Sequence, residues 1–216
     1  PWKKNRAEDT KTAWELLATD RGGLYLDSKP GVYSDVIELD FASLFPSIIA
    51  TRNISPETLN CACCQATTSY PDVECFVPLD PEGANLTFRE RARKDIFASK
   101  IFPSSNQSAL QVPGLKTHTC ARTHGFLGRV VAPLIKRRME LKGLKKKKGD
   151  VYDLQQNALK WLLVTCFGYT GYKNARFGRI EAHEAICAWA RDILLTTIRI
   201  AEDEGWNVLH AIVDCV

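Results

Sequence analysis

The feature that most constrains the fold of this chain is a short apolar strand that ends on a carboxylate and leads at once into a helix. Residues 36–39 predict the strand, which ends at Asp40. Pro46 and Ser47 favour the entry to a short helix, because proline suits a first helical turn. A carboxylate between a strand and a tight turn is suited to hold a metal ion, although an aspartate there is more often a plain turn residue.

Two more helical regions and a second strand with a terminal carboxylate follow. Residues 125–142 predict one helix, and a return helix begins at Asp150 or Asp153 and ends near Phe167. The lysine-rich segment between Gly143 and Gly149 is expected to break the helix and form the tip of a helical hairpin. Residues 182–201 follow helical spacing, and the apolar residues 208–213 predict a strand that ends on Asp214.

The distribution of charge favours a phosphate-bearing partner. The 216 residues carry 29 lysines and arginines and 25 acids, a net charge of only +4. Between residues 129 and 148, however, nine basic residues accompany a single acid, Glu140. Such a local density of positive charge suits a nucleic acid or a nucleotide, with a solvated helix face as the alternative.

The sequence also predicts where the protein works. Residues 1–6 lead into polar sequence without an apolar signal segment, and no apolar run approaches transmembrane length. We therefore expect no membrane association, a cytoplasmic location and largely reduced thiols.

The cysteines form an unusual cluster in residues 60–124, a region with weak periodicity. Cys61, Cys63, Cys64, Cys75 and Cys120 lie here, with His118 close to the last of them. Thiolate and imidazole groups are ligands for tetrahedral zinc, so a subset of these five cysteines and His118 is expected to bind it. The preferred set is Cys61, Cys64, Cys75 and Cys120. Buried inert thiols, or one disulfide from Cys61 or Cys64 to Cys75, are the competing interpretations.

Three motifs resemble those of family B DNA polymerases. The string DFASLFPSII from Asp40, continued by N-x-S-P-E-T-L, resembles the first carboxylate motif, D-x-x-S-L-Y-P-S-I. The return helix resembles K-x-x-x-N-S-x-Y-G, where Lys160 matches the lysine and Val164 replaces the asparagine. The last strand resembles Y-G-D-T-D-S, where Asp214 matches the second aspartate and Ile212 replaces the first. These substitutions are similar to those of a divergent archaeal branch that is often described as inactivated.

The resemblance implies an α+β fold. It implies a palm domain with an antiparallel sheet flanked by helices, together with a two-helix antiparallel fingers hairpin. On this basis residues 1–124 form the first part of the palm, with a cysteine-containing insertion at about residues 60–124. Residues 125–172 form the fingers and residues 173–216 the second part of the palm. The resemblance also predicts that this is part of a longer polymerase, without its exonuclease region and truncated before the thumb.

The resemblance assigns site residues too. Asp40 and Asp214 are the expected catalytic residues and, with the carbonyl of Phe41, the ligands of two Mg²⁺ or Mn²⁺ ions. The expected nucleotide-binding residues are Phe41, Ser43, Leu44, Phe45, Arg138, Lys142, Lys160 and Val164. The expected partners are primer–template DNA, deoxynucleoside triphosphates and other replication or repair proteins, at the nucleoid.

Two functions remain open at this point. One is an impaired or specialised DNA polymerase, which the retained carboxylates and phosphate-binding cations favour. The other is an inactive homologue that binds DNA or serves as a structural or regulatory module, which the loss of one aspartate at Ile212 favours.

Overall fold

The computed structural model describes residues 10–64, 110–148 and 150–216. The described elements are five helices and four short strands: α1 Ala13–Thr19, β1 Tyr25–Leu26, α2 Leu44–Thr51, β2 Leu110–Gln111, β3 His118–Thr119, α3 Phe126–Lys148, α4 Asp150–Thr170, α5 Ile180–Asp203 and β4 Ala211–Ile212. The predicted α+β class is confirmed. No described helix is both long and apolar enough to span a membrane.

The predicted sheet is antiparallel but shorter than the sequence suggested. β1 pairs with β4 in antiparallel register, Tyr25 opposite Ile212 and Leu26 opposite Ala211. The expected strand at residues 36–39 is reduced to an isolated bridge between Asp40 and Cys215. Residues 36 and 37 are exposed, so this segment lacks the burial that stabilises a longer strand. The expected strand 208–213 likewise shrinks to β4, because Val213 adopts a positive φ of 49° and turns the chain.

The hydrophobic core lies between α2 and α5 and includes residues of α3 and α4. Its buried side chains include Leu44, Ile48, Ile49, Ile54, Val131, Leu163, Ile186 and Trp189. Both α2 and α5 therefore pack their apolar faces inward, and the segment that carries Asp40 enters the core directly through Leu44. The site at the start of α2 is consequently built on a rigid base.

The predicted helical hairpin is present, with one correction. The first helix, α3, continues through Gly143 to Lys148, instead of breaking at that glycine. A single glycine costs a helix only about 1 kcal/mol, which the flanking good helix formers tolerate. Gly149, the predicted end of the tip, lies outside the described residues, and α4 returns from Asp150.

The base of α3 is capped by side chains from the loop after α2. The backbone N–H of Phe126 donates to Glu57 Oε1 at 2.6 Å, and that of Leu127 donates to Ser55 Oγ at 3.4 Å. Asn53 joins the same contact, because its Oδ1 accepts from the backbone N–H of Gly125 at 2.8 Å. A negative charge at a helix N-terminus is favourable, so this loop fixes where the hairpin begins.

Candidate active site

The backbone places Asp40 and Asp214 side by side. The N–H of Phe41 donates to the carbonyl of Asp214 at 2.8 Å, and Leu39 and Val216 exchange two further backbone hydrogen bonds at 2.8 and 2.9 Å. Asp214 lies in a tight turn between Ile212 and Cys215, which exchange hydrogen bonds at 2.9 and 2.8 Å. Two carboxylates from distant parts of the sequence therefore meet at one end of the small sheet.

The two carboxylates lie within electrostatic reach of each other. Partial burial raises the pKa of Asp214, and the negative charge of Asp40 raises it further. Lys160 acts in the opposite direction and lowers the pKa of Asp214, which shows that its ammonium group lies within electrostatic reach of this carboxylate. The negative charge on Asp214 is thus disfavoured by its surroundings, and a cation between the carboxylates would relieve that cost.

These donors fit a divalent cation such as Mg²⁺. Carboxylate oxygens are the ligands this ion prefers, and the two carboxylates repel each other in its absence. The half-buried Phe41 follows Asp40 directly, so its carbonyl belongs to the same turn.

Arg138 lies behind the carboxylates and is buried, with 7% of its surface exposed. It reaches from α3 to donate a hydrogen bond from Nη1 to Ser43 Oγ. Burial lowers the pKa of the Arg138 guanidinium, and the charge of Asp40 opposes that shift. Its Nε atom has no hydrogen-bond partner among the described residues. Arg138 therefore brings a desolvated positive charge to the Asp40 turn, where it fixes Ser43.

Ser43 needs this support because of its backbone. It precedes α2 with φ 58° and ψ 47°, in the left-handed region that is uncommon for residues other than glycine. Its side chain makes no capping bond to α2. The contact with Arg138 thus holds a turn that the serine backbone alone would not favour.

The remaining predicted nucleotide-binding residues are divided between surface and core. Lys160 and Val164 are exposed on one face of α4, and Lys142 is half-buried on α3. Leu44, in contrast, belongs to the hydrophobic core, so a contact with a nucleotide would have to come from its backbone, and its role there stays a prediction. The physical reason is that the apolar face of α2 begins at this residue.

A stack of three rings joins α2, α4 and α5 beneath the site. Phe45 stacks on Phe167 with ring centroids 4.2 Å apart, and Phe167 stacks on His183 at 4.6 Å. Both pairs are nearly parallel, at 18° and 19°. The sequence indicated Phe45 but not its partners, because a stack between three helices leaves no periodic signal in the sequence.

Ile212, which stands where the resemblance places a third carboxylate, is 37% exposed. It lies on β4 opposite Tyr25, two residues before Asp214. Its neighbour Ala211 is fully buried, so one face of this strand points into the protein and the other towards solvent. The position is therefore open to solvent, and a charged side chain there would not be buried.

Comparison with known proteins identifies the family of this chain. The model for DNA polymerase family B matches residues 3–215. This chain belongs to DNA polymerase family B. DNA polymerase 2 of Saccharolobus solfataricus is 30% identical over 209 residues, 97% of this chain and 25% of the relative. The DNA polymerase of Thermococcus gorgonarius is 30% identical over 225 residues, 99% of this chain and 23% of the relative.

Solved structures agree with this assignment. The family B DNA polymerase of the hyperthermophilic archaeon Pyrobaculum calidifontis matches with a TM-score of 0.59 and 26% identity, over 99% of this chain and 23% of that polymerase. The suspected family B, archaeal-type resemblance is confirmed. The chain spans about a quarter of the length of these relatives.

The structure also brings together a set of thiols away from the carboxylates. Of the predicted zinc ligands, Cys61, Cys64 and Cys120 lie together, and Cys75 lies outside the described residues. The fourth member of the cluster is Cys63, a candidate ligand that stood outside the preferred set of four. None of the described cysteines forms a disulfide.

Proposed function

We propose that this chain is the palm and fingers part of a template-directed DNA polymerase with an altered catalytic centre. Residues 1–124 would supply the first part of the palm, with a cysteine-containing insertion at about residues 60–124. Residues 125–172 would supply the fingers, and residues 173–216 the second part of the palm. The observation that carries the proposal is the backbone pairing that brings Asp40 and Asp214 together at one sheet end, with the charge of Lys160 within electrostatic reach of Asp214.

Within this proposal, Asp40, Asp214 and the Phe41 carbonyl hold the divalent ions. When bound, Mg²⁺ or Mn²⁺ stabilises the charge on the attacking and leaving oxygens of an in-line displacement. Asp40 and Asp214 can do this because the turns fix them relative to each other before any ligand arrives.

The cations of the hairpin bind the triphosphate. Lys160 is exposed on α4 and within electrostatic reach of Asp214, so it is the principal phosphate ligand. Lys142 adds charge from α3, and Arg138 contributes by fixing Ser43 and by its charge behind Asp40. A triphosphate held by these cations would lie within reach of the carboxylates, because the charge of Lys160 acts on Asp214.

Phe45 acts through the shape of its ring, because phenylalanine has no group that forms a hydrogen bond with the nucleotide. Its ring is held flat against Phe167, so it presents a fixed apolar surface where the resemblance places the sugar. A rigid ring there would crowd a 2′-hydroxyl and favour deoxynucleotides. The exposed Val164, where the family motif has asparagine, offers no hydrogen bond.

A second function has one specific observation in its favour. Ile212 stands exposed at the place of a carboxylate, which weakens the affinity of the centre for ions. An inactive homologue that binds primer–template DNA, or that serves other replication or repair proteins as a structural module, would tolerate this change. The retention of Asp40, Asp214 and Lys160 in a working arrangement favours the enzyme over this alternative.

Restoring the carboxylate distinguishes the two functions. In the full gene product we expect Ile212→Asp to raise primer extension about tenfold at low Mg²⁺, roughly 1.4 kcal/mol, and less at high Mg²⁺. The added acid improves ion binding, and the exposure of the position spares the fold. The control is Ile212→Asn, which has similar shape without charge and should leave extension unchanged. Equal effects of both variants would point to a structural role, and no effect of either would favour the inactive homologue.

A further inference from the structure

We propose that Cys61, Cys63, Cys64 and Cys120 form a structural zinc site that clamps the base of the helical hairpin. The four sulfur atoms lie within 4.8 Å of one another. This site is separate from the proposed polymerase chemistry and uses none of its residues.

The distances between the sulfurs match one tetrahedral ion. Cys63 Sγ lies 3.5 Å from Cys120 Sγ and 3.9 Å from Cys64 Sγ, and Cys64 Sγ lies 3.8 Å from Cys120 Sγ. A tetrahedron with Zn–S bonds of about 2.3 Å has sulfur–sulfur edges of about 3.8 Å. Disulfide bonds, in contrast, hold sulfurs at about 2.0 Å. The spacing is therefore that of ligands around a common centre.

The distances between the sulfur atoms also indicate which metal the thiolates would bind. Four cysteines without an open position are a closed set, as in structural zinc sites. In a cluster with several iron atoms, each cysteine binds a different iron, which spreads the sulfurs farther apart than is observed here. Zn²⁺ is the ion that fits four thiolates in tetrahedral geometry without redox chemistry.

The surroundings orient the ligands. The backbone N–H groups of Arg122 and Thr123 donate to Cys120 Sγ at 3.4 and 3.3 Å. His118 Nε2 lies 3.7 Å from Cys61 Sγ. Contacts of this kind around the ligand atoms fix their direction before the ion binds.

The position of the cluster in the fold indicates its role. Three ligands follow the loop after α2, and the fourth, Cys120, lies six residues before α3. The two segments already touch, because Asn53 Nδ2 donates to the carbonyls of Cys120 and Thr123, each at 2.8 Å. The N–H of Cys120 also donates to the Thr58 carbonyl at 2.8 Å. An ion here would lock the loop that caps α3 onto the segment that leads into α3.

The site also closes a long loop. Cys64 and Cys120 are separated by 55 residues of chain, from 65 to 119, and a cross-link between its ends removes conformational freedom from the unfolded chain. Arg179 also holds the loop after α2 in place, since its Nη1 donates to the carbonyls of Pro56 and Leu59 at 2.7 and 3.0 Å.

Metal analysis of the full gene product tests the proposal. We expect one zinc per chain after purification without chelator, and a loss of nearly all of it in Cys63→Ser. Cys63 is the exposed member of the cluster, so this change leaves the core packing intact. The matched control is Cys166→Ser, a half-buried cysteine of α4 outside the cluster, which should retain one zinc per chain.

Two further measurements support the assignment. Replacement of zinc by Co²⁺ should give the intense visible absorption of tetrahedral cobalt with thiolate ligands, in the parent and in Cys166→Ser only. A strong zinc chelator should lower the midpoint of thermal unfolding of the parent and of Cys166→Ser, and leave that of Cys63→Ser unchanged. Zinc in equal amount in the parent and Cys63→Ser would overturn the proposal. So would a metal-free parent with four reactive thiols, a disulfide within the cluster, or iron with acid-labile sulfide.

Discussion

Replacing Asp214 with asparagine should lower primer extension by the full gene product at least about a thousandfold, roughly 4 kcal/mol of transition-state stabilisation. Asp40→Asn should have an effect of similar size. The two carboxylates lie within electrostatic reach of each other, and in the proposed function they hold the metal ions jointly. Loss of either member should therefore cost nearly as much as loss of both, and the double variant should be little worse than the single ones.

The design of this experiment separates catalysis from folding. Asp203→Asn is the control, because Asp203 is an exposed acid at the end of α5 and should extend primers like the parent. Circular dichroism and urea unfolding of each variant show whether the fold is intact. If Asp40→Asn and Asp214→Asn extend primers as well as Asp203→Asn, the two carboxylates take no part in catalysis, and the inactive homologue becomes the better account.

The second large effect concerns stability. We expect Lys11→Ala to lower the free energy of unfolding by about 3 kcal/mol. Glu184 on α5 is only 2% exposed, and Lys11 Nζ meets its Oε1 at 2.6 Å. Removal of the lysine leaves a buried charge whose remaining partner is the hydroxyl of Thr19, which donates at 2.6 Å. The effect should lie at the low end of the range for buried pairs, because Lys11 itself is partly exposed.

Urea unfolding of three variants checks this prediction. Lys116→Ala is the control, since Lys116 is exposed and its loss should change the free energy of unfolding by less than about 0.5 kcal/mol. In the double variant Lys11→Met with Glu184→Leu, most of the lost stability should return, because no unpaired charge is left in the core. A Lys11→Ala protein as stable as the Lys116→Ala control would show that α1 is not anchored to α5 by this pair.

The sequence predicted the elements whose signal is local and repeated. The helix at residues 182–201 and the hairpin from α3 to α4 follow periodic apolar positions, and the structure contains both with ends shifted by a few residues. Asp40 and Asp214 could be singled out because a strand followed by a carboxylate and a turn is a local pattern. Their proximity, however, was known only through the family resemblance.

The features that were missed depend on contacts between distant segments. The burial of Arg138 behind Ser43 requires α3 to pack on the turn before α2, and no pattern on α3 alone distinguishes this arginine from the exposed Arg137. Asn53 and Glu57 belong to the N-x-S-P-E-T-L string, but that string alone does not predict that they cap the start of α3. Cys63 was one of six candidate zinc ligands in the sequence, and only the folded chain shows which four sulfurs meet.

The central claim is that Asp40 and Asp214 together hold divalent metal ions beside an incoming nucleotide. A Mn²⁺ titration followed by electron paramagnetic resonance tests it most directly, on the chain with its cysteine cluster loaded with zinc and with a non-hydrolysable deoxynucleoside triphosphate present. We predict two bound Mn²⁺ ions per chain that require the nucleotide, and the loss of both in Asp214→Asn but not in Asp203→Asn. Equal Mn²⁺ binding by the parent and Asp214→Asn would contradict the account.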